Sequence, residues 1–240
     1  MSGSPLGGDR SSGNPDQCVV LVPTYGGIDR ECEAGLTELE RRGYVVRRVG
    51  GFSQIDLGRS QMATDAIRDG FEETMWIDSD IGFDPDDVDR LRRHGVPIVA
   101  GVYPVKNQRR LAVHVGERTE PFRFGTSGGL ETVQYVATGF LLVQSVVYDA
   151  VKSDSRLVDC FHGGDSALTP YFLPMIRQMN DGRGWYLGED YAFCERARRA
   201  GFDVRVDTTI RLRHFGRYGF SWEDAGEDRP RYADYTYHFR

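Results

Sequence analysis

The chain has 240 residues, of which 40% are hydrophobic and 12% aromatic, and its formal net charge is -6. This length and composition predict one packed α/β domain, or at most two small ones, and argue against a disordered protein. The net negative charge argues against a nucleic-acid partner held mainly by phosphate neutralisation, although basic patches such as Arg109-Arg110 leave it open.

The first half of the chain alternates between apolar runs and segments with helical spacing. Residues 1–17 are rich in glycine, serine and proline, and we expect a disordered leader there. The pattern then predicts strands at Cys18–Val22, Tyr44–Val49, Met75–Ile77 and Val96–Val102, and helices at Ile28–Arg42, Gly58–Arg68 and from Asp84 to about Gly95. Strands that alternate with helices predict a mostly parallel central sheet that is covered on both faces.

The second half of the chain changes character, with shorter apolar runs around polar turns. We expect β segments at Leu111–Val115, Pro121–Phe124, Glu131–Ala137 and Gly139–Val143, helices at Val146–Lys152 and Gly188–Ala200, and a strand at Phe202–His214. The mixed stretch of residues 153–183 predicts a mobile or ligand-covering loop. These elements predict a smaller antiparallel part, a single domain over residues 18–216 and a C-terminal extension over residues 217–240.

Two aspartates, Asp78 and Asp80, directly follow the third predicted strand, with Ser79 between them. The carboxyl edge of a parallel sheet opens into a crevice, and two carboxylates there need a cation or several donors. Their oxygen atoms suit Mg²⁺ or Mn²⁺, which leave coordination positions open for substrate phosphates. A metal-bridged diphosphate is therefore the natural ligand class, although an isolated Asp-x-Asp is more often an ordinary turn.

Three further residues are candidate partners for these aspartates. His214 ends the last predicted strand, where it is either a core histidine or a third metal ligand. Glu189 and Asp190 open a helix, where acids cap the first turn and favour the positive end of the helix dipole. One of them could instead deprotonate an acceptor hydroxyl as general base. Its pKa must then be low enough for ionisation at neutral pH, and the helix dipole acts in that direction.

Loops near the same predicted edge supply candidate contacts to a nucleotide and its substituent. Each of these residues also has an ordinary explanation, as a turn, an exposed basic side chain or sheet packing. The candidates are Pro23, Thr24, Tyr25, Arg59, Lys106, Thr138 and Gly139.

In their order and spacing, these motifs resemble GT-A glycosyltransferases of the broad family-2-like group. The motifs that carry the resemblance are Val22-Pro23-Thr24-Tyr25, Gly58-Arg59-Ser60-Gln61, Trp76–Phe83, Gly101–Lys106, Ala137–Leu142, Gly188–Tyr191 and His214-Phe215-Gly216. The resemblance covers roughly residues 18–218, and it implies a Rossmann-like nucleotide-binding α/β sandwich. One departure is Gly58-Arg59-Ser60, where many relatives have Ala-Arg-Asn.

The resemblance implies a metal-dependent hexosyltransferase that moves a sugar from a UDP- or GDP-sugar to an acceptor hydroxyl, with inversion. It implies that Asp78, Asp80 and His214 bind Mn²⁺ or Mg²⁺ and that Asp190 is the general base, with Glu189 as the alternative. Together with the candidates above, the nucleotide-sugar site comprises Pro23, Thr24, Tyr25, Arg59, Asp78, Ser79, Asp80, Lys106, Thr138 and Gly139.

Two other functions fit part of the same pattern. A nucleotidyltransferase that acts on sugar phosphates also uses a nucleotide, a metal and paired aspartates. It would be expected to carry a basic glycine-rich loop near the N-terminus, and residues 23–27 contain no Lys or Arg. The second alternative is a nucleotide-sugar-binding domain without catalytic activity.

Cysteine usage and hydropathy give an expectation about location. The four cysteines are scattered without Cys-x-x-Cys spacing, which argues against zinc and against a disulfide framework. No apolar run approaches the length of a membrane span, and the first residues lack the apolar core of a signal peptide. We therefore expect a soluble, cytoplasmic protein.

Overall fold

The computed structural model describes residues 14–117, 120–161, 167–216, 218–226 and 234–239. Its helices are α1 (Arg30–Arg41), α2 (Ile55–Arg68), α3 (Pro85–Arg93), α4 (Ser145–Asp154) and α5 (Glu189–Arg199). Its strands are β1 (Cys18–Thr24), β2 (Val45–Gly50), β3 (Glu73–Ile77), β4 (Ile81–Gly82), β5 (Ile98–Gly101), β6 (Val113–His114), β7 (Phe122–Phe124), β8 (Leu130–Val133), β9 (Tyr135–Val136), β10 (Phe140–Gln144), β11 (Cys160–Phe161), β12 (Ala167–Leu168), β13 (Met175–Gln178), β14 (Gly184–Leu187), β15 (Val204–Asp207), β16 (Arg213–Phe215), β17 (Gly219–Phe220) and β18 (Tyr235–Tyr237). The fold is mixed α/β, as predicted.

A large mixed sheet organises the molecule, with the strand order β2-β1-β3-β10-β5-β15-β8. β1 pairs in parallel with β2 and β3, and β5 pairs in parallel with β15. β10 runs antiparallel to both of its neighbours, β3 and β5, so these two strands share one direction. The four strands of the first half therefore run the same way, as predicted, while β10 and β8 from the second half make the sheet more antiparallel than expected.

Apolar side chains fill both faces of this sheet. Along β1, Val19 and Leu21 pack in the same core cluster as α2, α4 and α5. Val20 and Val22 belong to a second cluster, together with the buried residues of α1 and α3. Because side chains alternate along a strand, the continuous apolar run at the start of β1 is the mark of a strand buried on both faces. Helices on both faces were predicted, and this is confirmed.

Helix starts follow the local capping chemistry. The Asp84 side chain accepts a hydrogen bond from the Asp86 amide at 3.0 Å, with Pro85 at the first helical position of α3, as predicted. The Asp29 side chain caps α1 in the same way. α2 begins at Ile55, three residues before the predicted start at Gly58, so Arg59 lies in the second turn of the helix and not at its start.

The prediction of one continuous strand over Phe202–His214 is wrong, because the chain turns in the middle of this segment. After β15, the Asp207 side chain accepts hydrogen bonds from the amide and the hydroxyl of Thr209, at 2.8 and 2.6 Å. Such a local turn competes with strand pairing and ends β15. The chain then enters β16, which pairs with β4 and β17 in a separate small sheet. This break carries His214 to the segment that follows Asp80.

Residues 153–183, predicted as a loop, contain the end of α4 and three short strands, and residues 162–166 lie outside the described part of the chain. Of the predicted leader, residues 1–13 also lie outside it, and Pro15–Gln17 form a 3-10 helix. In the region of the predicted C-terminal extension, Trp222 is buried and β18 pairs with β7. No helix within the described ranges has the length and apolar character to cross a membrane.

Candidate functional site

The segment from Asp78 to Asp80 lies where β3 leaves the large sheet, next to the start of β10. The Asp78 amide donates to the Gly139 carbonyl at 3.0 Å, which continues the pairing of the two strands. The Ser79 carbonyl accepts from the Asp29 amide at 2.8 Å, and the Asp80 carbonyl accepts from the Phe215 amide at 2.7 Å. The backbone of the segment is therefore held from three different parts of the chain. Both carboxyl groups lie at the carboxyl edge of β3, as predicted.

Arg59 is buried in the site, with 4% of its surface exposed. The alternative interpretation of this residue, an exposed basic side chain, is therefore wrong. Its Nη2 donates to Asp78 Oδ1 at 2.7 Å, and its Nε lies 3.8 Å from Glu189 Oε1. A buried guanidinium needs such partners to offset lost hydration. Within the described chain, Nε and Nη1 have no hydrogen-bond partner. Buried donors of this kind suit the anionic oxygen atoms of a ligand.

Asp80 has two basic neighbours, Lys106 and His214. Lys106 forms an ion pair with Oδ2, and His214 Nε2 lies 3.5 Å from Oδ1. Burial alone would raise the pKa of Asp80, but its interactions with His214 and Lys106 hold it below its usual value. The carboxyl group is therefore ionised at neutral pH.

The imidazole of His214 is oriented by the backbone. His214 Nδ1 lies 2.9 Å from the Pro104 carbonyl oxygen, which can only accept, so we assign the proton to Nδ1. In the neutral ring Nε2 is then an acceptor that faces Asp80 Oδ1. Two acceptors 3.5 Å apart repel each other unless a proton on Nε2 or a metal ion lies between them.

Asp190 and Glu189 lie in the first turn of α5, where Gly188 is the N-cap. Burial, and next the charge of Glu189, raise the pKa of Asp190 to about 6, against the hydrogen bond from the Tyr191 amide at 2.7 Å. The helix dipole acts to lower this pKa, but burial and the neighbouring carboxylate outweigh it. A pKa near 6 leaves Asp190 mostly ionised at neutral pH, close to the optimum for a general base.

Tyr103 completes the site and was missed as a candidate, although it lies in the motif Gly101–Lys106. Its buried hydroxyl accepts a hydrogen bond from the Gly139 amide at 2.9 Å, and its ring centroid lies 5.0 Å from that of His214. A Cβ atom at Gly139 would overlap this hydroxyl and lie 2.9 Å from Asp78 Oδ2. Only glycine lets the backbone approach so closely. Thr138 is buried beside it, and its Oγ1 has no partner in the described part of the chain.

Three predicted residues have other surroundings. Pro23 and Thr24 continue β1, opposite Val49 and Gly50 of β2, and do not form the predicted loop. Tyr25 follows them and is 91% exposed. Pro23 and Thr24 thus pair with β2, whereas Arg59, Lys106, His214 and Glu189 contact the two aspartates or each other.

The residues at Asp80 fit a divalent ion in part. In the described ranges, no group of three or more His, Cys, Asp or Glu side chains is arranged to hold a metal. Mg²⁺ is, however, commonly held by one or two protein ligands, with water and substrate phosphates completing its shell. Asp80 Oδ1 and His214 Nε2 are 3.5 Å apart, close to the roughly 3 Å between adjacent ligands about 2.1 Å from one ion. Asp78, also predicted as a ligand, accepts a hydrogen bond from Arg59 through Oδ1.

Comparison with known proteins identifies a similar fold. No protein-family model and no curated protein matches the chain. The structure is similar to the crystal structure of A197 from STIV, with a TM-score of 0.54 and 15% sequence identity. The match covers 89% of this chain and 98% of that chain. At this identity, the likeness concerns the fold alone.

Proposed function

We propose that the chain is a metal-dependent glycosyltransferase that transfers a sugar from a UDP- or GDP-sugar to an acceptor hydroxyl. The observation that supports this proposal is a charged cluster close to a carboxyl group of raised pKa, with Arg59 contacting both Asp78 and Glu189. Asp80, Lys106 and His214 form a charged cluster suited to a metal and a diphosphate. Asp190, with a pKa of about 6, is suited to accept a proton. Group transfer from a nucleotide sugar needs both.

The donor side is built from Arg59, Lys106 and the pair Asp80–His214. Mn²⁺ or Mg²⁺, held by Asp80 and His214, would supply positive charge to the leaving diphosphate. Arg59 offers two buried donors without partners for the same oxygen atoms. The close approach of Gly139 to Tyr103 and Asp78 keeps side-chain atoms out of this space. Thr138 Oγ1 offers a buried hydroxyl for a polar group of the donor.

The acceptor side depends on Asp190. Its carboxylate takes the proton of the acceptor hydroxyl while that oxygen attacks the anomeric carbon of the donor sugar. The bond from this carbon to the diphosphate oxygen breaks, and the nucleoside diphosphate leaves with the electron pair. A single displacement of this kind inverts the configuration at the anomeric carbon. Glu189, 3.8 Å from Arg59, helps to keep the guanidinium in place.

The test is donor hydrolysis, in which water replaces the unknown acceptor. The protein is incubated with Mn²⁺ and a panel of UDP- and GDP-sugars, and release of the nucleoside diphosphate is measured. We expect slow, metal-dependent release with at least one donor, which Asp80→Ala abolishes. Asp203→Ala, at an exposed position, is the control and should behave like the wild-type protein. Binding without turnover, or pyrophosphate formation from a sugar phosphate and a nucleoside triphosphate, would refute the proposal.

A further inference from the structure

A cleft of about 350 Å³ opens beside the β13–β14 hairpin, and none of the residues discussed above lines it. Its walls come from β6 and the turn after it, from the residue before β9, and from the hairpin and its tip. The lining residues that matter for its chemistry are His114, Gln134, Arg177, Asn180, Asp181 and Trp185. A volume of this size accommodates a small ligand of a few rings or a short segment of a larger one.

The lining combines aromatic rings with polar groups. Trp185 and His114 meet edge to face, with ring centroids 4.8 Å apart. Arg177 is oriented by the Tyr135 hydroxyl, to which its Nη1 donates at 2.7 Å. Gln134 donates to the same hydroxyl at 3.2 Å. Sugars present flat C–H faces bordered by hydroxyl groups, so a fixed aromatic ring with amide and guanidinium groups around it matches their chemistry.

The charges of the cleft favour a neutral ligand. Burial, and next the charge of Arg177, lower the pKa of His114, so this ring is uncharged at neutral pH. Asp181 pairs with Arg183, with Nη2 and Oδ2 2.6 Å apart. The remaining charges, Arg177 and Glu117, have opposite signs. A surface that binds a polyanion needs an excess of positive charge, and the described residues that line this cleft supply none.

The cleft connects to the proposed catalytic carboxylate through packed aromatic rings. Trp185 contacts Tyr135, and Tyr135 contacts Tyr191, with ring centroids 5.6 and 5.2 Å apart. The amide of Tyr191 donates to Asp190 Oδ1. In addition, β14 carries Trp185 and ends at Leu187, directly before the turn into α5. Trp185 therefore lies five residues before Asp190 in the chain and is linked to it through Tyr135 and Tyr191.

We propose that this cleft binds a neutral saccharide, which is the acceptor of the transfer, and that Trp185 is the platform for one of its rings. The claim that the saccharide is the acceptor rests on the proposed function. The binding of a saccharide itself can be measured without donor or metal. The cleft thereby indicates the chemical class of the acceptor, which the residues at the sheet edge do not.

Intrinsic fluorescence provides a selective test, because the chain has three tryptophans and Trp76 and Trp222 are buried. The protein is titrated, without donor or metal, with neutral trisaccharides (maltotriose, cellotriose, mannotriose and N,N′,N″-triacetylchitotriose). We expect at least one to change the Trp185 emission with a saturable, millimolar or tighter Kd. Trp185→Ala lacks the fluorescent reporter, so its binding is measured by NMR of the sugar. This substitution should weaken binding at least tenfold, while Trp185→Phe should retain most of it.

Two further variants separate binding from folding. Asn180→Ala changes an exposed cleft residue at the hairpin tip and should weaken binding about threefold without loss of structure. Tyr186→Ala is the matched control, since Tyr186 neighbours Trp185, is 68% exposed and lies outside the cleft. It should bind the saccharide like the wild-type protein.

The inference is overturned if no trisaccharide binds, if the bound one is insensitive to both Trp185→Ala and Asn180→Ala, or if an oligonucleotide binds there instead. Its failure is distinguishable from failure of the proposed function. Donor hydrolysis without saccharide binding would refute the acceptor cleft and leave the proposed transferase intact. Saccharide binding without donor hydrolysis would refute the transferase and leave a sugar-binding cleft.

Discussion

Asp190→Asn should stabilise the folded protein at neutral pH while it abolishes transfer. The pKa of Asp190 is raised from 3.8 to about 6, so the folded state binds this proton more tightly than the unfolded state does. The ionised carboxylate therefore destabilises the fold, by about 3 kcal/mol once the pH is well above 6. Asparagine keeps an oxygen that can accept from the Tyr191 amide, at 2.7 Å in the wild-type protein, but it carries no charge.

The pH dependence gives this prediction its sign. As the pH rises from 3.8 to 6, the wild-type protein progressively loses the stability that the protonated carboxyl group provides, and the variant does not. The advantage of Asp190→Asn should therefore increase by about 2 kcal/mol between pH 4.5 and pH 8. Urea unfolding at these two pH values measures it. Asp203→Asn, at an exposed position, should differ from the wild-type protein by less than about 0.5 kcal/mol at both.

An advantage that is independent of pH, or a variant less stable than the wild-type protein at pH 8, would refute this reasoning. Either result would mean that Asp190 is better solvated or better paired than its position in the structure indicates. Stabilisation together with lost turnover would instead be the usual signature of a strained catalytic group.

Three further predictions concern the same site. Gly139→Ala should lower the free energy of unfolding by about 1–3 kcal/mol, because the new methyl group overlaps the Tyr103 hydroxyl and crowds Asp78. Arg59→Met should lower it by about 3 kcal/mol at pH 8, since it removes the buried cation between Asp78 and Glu189. Both are measured by urea unfolding. Donor hydrolysis should fall about tenfold for each pH unit below 6, as the general base is protonated.

Matched controls and contrary outcomes accompany these predictions. Gly129→Ala places a methyl group in open space and should leave the free energy of unfolding within about 0.5 kcal/mol of wild type. Equal effects of the two glycine substitutions would contradict the crowding at Gly139. Arg59→Lys retains the charge and should lose less stability than Arg59→Met. A rate of donor hydrolysis that stays constant from pH 7 to pH 5 would rule out Asp190 as the base.

Local patterns predicted most helices and the strands of the first half. These predictions used helical periodicity, the Asp84-Pro85 start of α3 and the apolar run in β1. Such features depend on residues close together in the chain, so they can be recognised from the sequence. The position of Asp78 and Asp80 at a sheet edge followed from the alternation of strands and helices. The insertion of β10 between β3 and β5 did not, because strand order depends on contacts between residues far apart in the chain.

Sequence reasoning named several of the residues that the structure brings together at the sheet edge, but it did not indicate how they pair. The burial of Arg59 between Asp78 and Glu189 joins three distant segments, and a helical arginine by itself indicates an exposed side chain. The raised pKa of Asp190 likewise depends on burial that only the folded chain creates. For Tyr103 a signal existed in the motif Gly101–Lys106, but nothing in it indicated the hydrogen bond from the Gly139 amide.

The central claim is that metal and donor binding, through Asp80 and His214, is separable from proton transfer by Asp190. The most direct test measures donor binding by calorimetry and donor hydrolysis in parallel, with Mn²⁺, for the wild-type protein, Asp80→Ala and Asp190→Asn. We predict that Asp80→Ala loses metal-dependent binding, and that Asp190→Asn binds the donor like the wild-type protein but does not turn it over. Full turnover by Asp190→Asn, or donor binding that is independent of Mn²⁺ and of Asp80, would contradict the claim.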